Sequence, residues 1–124
     1  MEYSYEINEV NETITVIITG EVNAGNFAKL SVEICTLAVS LHCKIIFDFT
    51  SAIVDISIGE AYFWFANHLD KINILFRRIP TAHIVNEKNE SFFYFVETTW
   101  TNHGINTKMF KEGVLAQDWL NQIG

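Results

Sequence analysis

Along the whole chain, from a first hairpin to Trp119, apolar residues alternate between the short spacing of strands and the longer spacing of helices. Only a layered α/β fold uses both periods in turn. Ser4 to Ile7 and Thr13 to Thr19 are short, β-branched and bounded by turn residues, which predicts an antiparallel hairpin with Gly20 ending its second strand. Asn23 or Asn26 can then cap a helix whose apolar positions Phe27, Leu30, Ile34, Leu37, Ala38 and Leu41 recur at helical spacing. Ile45-Ile46-Phe47 is a continuous apolar run of the kind found in strands covered on both faces, closed by Asp48-Phe49-Thr50.

The second half repeats the alternation. A helix is predicted from Ser57 to Ile72, and Thr81 to Val85 forms a strand after Pro80. Asn89 or Ser91 can cap a helix ending at Gly104, although Phe92-Phe93-Tyr94-Phe95-Val96 by itself has strand composition and length decides for the helix. Ile105 to Phe110 reads as the last strand, and Gly113 to Gln122 as a helix turning Leu115, Trp119 and Leu120 inward. The expected order is β-β-α-β-α-β-α-β-α, a mostly parallel sheet with helices packed against it and an antiparallel edge, in a single domain over residues 1–124.

Charge removes whole classes of partner. A formal charge of −7 repels phosphate backbones and anionic headgroups, and no basic stripe is longer than Arg77-Arg78, so nucleic acid is a poor partner. No stretch approaches the ~20 apolar residues that span a bilayer, so membrane insertion is not expected, and the cytoplasm is the expected location. Cys35 and Cys43 lack any metal or redox spacing and are expected to stay reduced. His42, His68, His83 and His103 fall on different elements without a zinc pattern, and no phosphate-cradling or nucleophile-elbow motif occurs. No cofactor and no catalytic activity are therefore expected.

The element order, together with three stretches, resembles the STAS-like superfamily, the anti-sigma-factor antagonists of the SpoIIAA type and the broader SpoIIAA-like group. Thr15 to Val22 looks like that family's strand and Gly-Glu turn into the first helix. Ile46-Phe47-Asp48-Phe49-Thr50, leading to Val54-Asp55-Ile56-Ser57-Ile58-Gly59, is similar to the central strand, loop and Asp-Ser-Ser-Gly helix start of the antagonists. Met109-Phe110 with Ala116 and Trp119-Leu120 looks like the SpoIIAA-like ending. The resemblance implies a SpoIIAA/STAS-like fold and a regulatory, protein-binding role, with Ser57 at the phosphorylated position. The chain departs from the pattern where Ile56 and Ile58 flank that serine.

Candidate sites follow. Asp48, Thr50, Asp55, Ser57 and Gly59 surround the loop after the central strand, where open α/β sheets bind ligands and a helix N-terminus would welcome a phosphate. Turn and capping chemistry by the same Asp, Thr and Ser residues is the plain alternative. Tyr62, Trp64, Phe65, Phe92 and Phe95 form an aromatic surplus that serves either a homodimer contact or a pocket for a small apolar ligand.

Overall fold

Ile14, Val16 and Ile18 are buried at every second position, the pattern of a strand with one face on a core, and Val22 is buried beyond the exposed Gly20. They lie in β2 (Thr13–Val22), which pairs antiparallel with β1 (Glu2–Asn8) from Glu2 opposite Thr19 to Asn8 opposite Thr13. Gly20 does not end β2 as expected. It sits inside the strand at φ 81°, a left-handed backbone that glycine adopts without steric cost, so the strand continues to Val22. The computed structural model describes residues 1–64, 66–67, 77 and 79–123.

α1 (Ala24–Leu41) begins with a capping box in which both candidate asparagines take part. Asn23 Oδ1 accepts from the Asn26 N–H at 2.9 Å, and Asn26 Oδ1 accepts from the Asn23 N–H at 2.8 Å. Phe27, Leu30, Ile34 and Ala38 bury the expected face, while Leu41 is exposed in the last turn, before His42 ends the helix at φ 56°. β3 (Lys44–Val54) runs parallel to β2, and helical residues 58–64 open α2. Of the helix expected from Ser57 to Ile72, residues 65 and 68–72 lie outside the described residues.

β4 (Thr81–Ile84), α3 (Glu90–Asn102), β5 (Thr107–Phe110) and α4 (Gly113–Gln122) complete the order. The aromatic stretch at 92–96 is helical, because Phe92, Phe93, Val96 and Trp100 together present one face to the core. Among the described residues five strands form one sheet in the order β1-β2-β3-β4-β5, parallel except for β1.

Alternation along the strands builds two cores. Ile45, Phe47 and Phe49 of β3 join Ile14, Val16 and Ile18 beneath α1 and α3. Ile46, Ala82 and Ile84 face the other way, against Ala116 and Leu120 of α4. Lys44 anchors the end of α4 by donating to the Leu120 carbonyl at 2.8 Å, where a cation also complements the helix dipole. Leu115, expected to point inward, is exposed, since the buried i, i+4 pair of α4 is Ala116 and Leu120. No described helix is long and apolar enough to cross a membrane.

Candidate functional site

The strand that carries the candidate loop is longer than its apolar run suggests. β3 pairs β4 only as far as Asp48 opposite Ile84, yet it continues beside β2 to Val54 opposite Val22. Asp48, Phe49 and Thr50 therefore lie within the strand and do not close it. The register with β2 shifts there: Ile17 faces Asp48, but Thr19 faces Ser51, so β3 carries one extra residue.

That bulge reverses the strand's faces. Before it, Phe47 and Phe49 point into the core; after it, Ala52 and Val54 do, and Ile53 is turned outward with 68% of its surface exposed. Asp48 holds the kink, because its Oδ1 accepts from the Thr50 N–H at 3.0 Å and from the Thr50 hydroxyl at 2.6 Å. Of the expected site residues, Asp48 and Thr50 thus bind each other.

Beyond Asp48 the carbonyls on the β4 side of β3 have lost their strand neighbour. Two asparagines of the β4–α3 connection replace it. Asn89 Nδ2 donates to the Phe49 carbonyl at 3.1 Å, and Asn86 Nδ2 donates to the Thr50 carbonyl at 3.1 Å and to that of Ala52 at 3.5 Å. Each is fixed by the other: the Asn86 N–H donates to Asn89 Oδ1 at 2.9 Å, and the Asn89 N–H to Asn86 Oδ1 at 3.0 Å. Asn89 was expected only as a helix cap; it precedes α3 without a side-chain cap bond and its amide serves β3 instead. Sequence reasoning passed over Asn86 altogether, although the Asn-x-x-Asn spacing directly after an apolar strand was a usable signal.

The chain then turns into α2. The Asp55 N–H donates to the Val22 carbonyl at 2.8 Å, leaving its side chain exposed. Ser57 caps the helix: its Oγ accepts from the Glu60 N–H at 3.1 Å while Glu60 Oε1 accepts from the Ser57 N–H at 3.2 Å. Ser57 therefore has a carboxylate as its immediate neighbour. Gly59 needs no special backbone, and an added Cβ would meet Ser57 Oγ at an ordinary 3.9 Å. No three His, Cys, Asp or Glu side chains converge into a metal site among the described residues.

The aromatic set divides. Tyr62 is exposed, and so is Phe63, with 72% of its surface free, next to exposed Ile58. Trp64 is half-buried against the core, and Phe65 lies outside the described residues. Phe92, expected at a surface, is buried with its ring edge-on to Phe27 at 5.5 Å. Phe95 is half-buried and joins Ile56, Trp64 and Phe92 around a crevice with about 20 Å³ of free space, room for one water molecule. Further in, His83 is enclosed by Phe47, Phe49, Phe93 and Trp100, and burial pushes its pKa down to about 3.

No known family's sequence profile matches the chain, and no curated protein matches it in sequence. Among the solved structures that match its fold, two do so over nearly the whole length of both chains. One is an uncharacterised protein of the DUF3478 family from Shewanella loihica PV-4, described as having a SpoIIAA-like fold: TM-score 0.59 and 14% identity over 95% of this chain and 93% of that one. The chain has a SpoIIAA-like fold. The second structure is the anti-sigma factor antagonist SpoIIAA in its unphosphorylated form, with a TM-score of 0.53 and 11% identity over 98% of this chain and 97% of that one. In this SpoIIAA-like fold the bulge, the asparagine pair and the Ser57 cap all gather at the rim where β3 ends and α2 begins.

Proposed function

We propose that the chain is a non-catalytic regulatory module that binds a partner protein over the rim formed by the end of β3 and the start of α2. The observation that carries this reading is the outward-facing apolar set Ile53, Ile58, Tyr62 and Phe63, bracketed by Asp48, Thr50, Asp55 and Ser57. Large apolar side chains bordered by polar groups are the usual makeup of a protein-binding patch. The anti-sigma factor antagonist among the fold's neighbours is named for a protein it opposes, which supports the same class of role. Of the residues expected at a homodimer contact, Tyr62 belongs to this exposed set, whereas Trp64 and Phe95 are half-buried and Phe92 is buried.

Ser57 is the proposed switch position. Its hydroxyl is exposed, and a phosphoryl group there would stand against the Glu60 carboxylate now bonded to the Ser57 N–H. Repulsion would open the capping box and re-aim the first turn of α2, carrying Ile58 and Tyr62 with it. A carrier role for a small apolar ligand has less support, because the crevice between Trp64 and Phe95 holds about one water. A catalytic role has less still, since no nucleophile-elbow or phosphate-cradling motif occurs in the sequence.

The test compares partner capture by the unaltered protein, by Ile58→Glu and Phe63→Glu, and by Ser57→Glu. Ile58 and Phe63 are exposed, so circular dichroism and urea midpoints of those two variants should stay close to the parent's, whereas Ser57→Glu loses the helix cap and should cost about 1 kcal/mol. A partner retained by the parent and lost by Phe63→Glu is the expected result. Identical capture by all four proteins would remove the rim from consideration.

A further inference from the structure

The sheet ends in two unlike edges. β5 is four residues long and packed between α3 and α4. β1 is seven residues long, exposed throughout, and pairs with β2 on one side only among the described residues. In an antiparallel edge strand, alternate backbone N–H and C=O groups face outward and can receive another strand.

The two faces of β1 differ. Tyr3, Tyr5 and Ile7 lie opposite buried Ile18, Val16 and Ile14, on the α1 side of the sheet. They remain 40%, 47% and 45% exposed, and Tyr3 reaches α1 through its hydroxyl, which donates to Glu33 Oε2 at 2.8 Å. They form an apolar shelf along the outer edge. On the other face stand Glu2 and Glu6, beside a groove lined by Glu6, Asn8, Glu9, Thr15 and Gln117. Residues 1–28 contain five glutamates and no Lys, Arg or His, so nothing basic in this stretch balances them.

That charge selects the occupant. A second copy would bring its own glutamates to the edge. Antiparallel self-pairing centred on Ser4 sets Glu2 opposite Glu6, and centring on Tyr5 sets the two Glu6 side chains on a diagonal. A basic strand meets no such conflict. We infer that the outer edge of β1 receives an extended segment of another protein in which Lys or Arg alternates with apolar residues, adding a strand to the sheet. Its cations lie against Glu2 and Glu6, its apolar side chains cover Tyr3, Tyr5 and Ile7, and its backbone completes the ladder. This surface is separate from the rim at the end of β3 and does not rest on the function proposed for that rim.

The test titrates the whole protein against a fluorescent, capped peptide of alternating Lys and Val, seven residues long, and follows anisotropy at low and high salt. Two controls accompany it: a peptide of the same composition with all lysines first, and the alternating peptide N-methylated at every second residue. The alternating peptide should bind, weaken as salt rises, and slow amide exchange in β1. The Glu2→Gln/Glu6→Gln double variant, checked for an unchanged urea midpoint, should bind it about tenfold more weakly, as expected for two exposed ion pairs. Equal binding by either control peptide, or undiminished binding by the double variant, overturns the inference. So does a dimer that must dissociate before the peptide binds, which would assign the edge to a second copy.

Discussion

His83 of β4 lies within aromatic rings, 5.6 Å from Phe47 and 5.0 Å from Phe93. In the unfolded chain it takes up a proton near the ordinary value of 6.5, and in the folded protein only near 3. Its contribution to stability is therefore fully present above pH 6.5 and is lost as the pH falls from there toward 3. Urea midpoints should drop between pH 6.5 and 5 with a slope of at most about 1.4 kcal/mol per pH unit, and His83→Phe should flatten that interval. A parent protein with no pH dependence there would contradict the burial. Cys35 gives a second check: burial pushes its thiol up to about 12, and Cys43 is raised as well. Iodoacetamide at neutral pH should label neither cysteine in the folded protein and both in urea, as read by mass spectrometry. Of the adjacent pair, His42 is exposed and Cys43 is buried.

Elements were legible wherever apolar spacing alone sets them. The Phe27-to-Ala38 stripe gave α1, and Ile45-Ile46-Phe47 gave the middle of the sheet. The second half of β3 was not legible, because Asp48, Thr50 and Ser51 interrupt the apolar run and the bulge changes which residues point inward. Hydrophobic patterning assumes an unbroken period, and one extra residue defeats it. The asparagine clamp was hidden for a different reason: its partners are backbone carbonyls 34 to 40 residues away, which no local pattern records. Asn89→Ala would strand the buried Phe49 carbonyl and free the Asn86 N–H, so it should cost about 1–3 kcal/mol by urea denaturation. A cost near zero would mean that the clamp is incidental. Among the candidate site residues, the sequence placed Ser57 at a helix start, where it caps α2, and it missed that Asp48 and Thr50 bind each other within a strand that runs on to Val54.

For the whole molecule, element order and the likeness of three short stretches were enough to anticipate the SpoIIAA-like fold that both solved structures share. Surface assignment was weaker, since composition shows a surplus of aromatics without saying which are left outside; Phe92 proved internal and Phe63 external. If the exposed start of α2 mediates self-association, sedimentation should show a dimer that Phe63→Glu dissociates, and an unchanged dimer would place the contact elsewhere. The overhang of β2 and β3 beyond their neighbours bears on dynamics. Residues 45–48 are held by strands on both sides, whereas residues 51–54 have β2 on one side and, on the other, the Asn86 amide on the Ala52 carbonyl. One strand thereby spans two thresholds for opening, and its last turn of pleat can melt and re-form while the sheet beneath keeps its register.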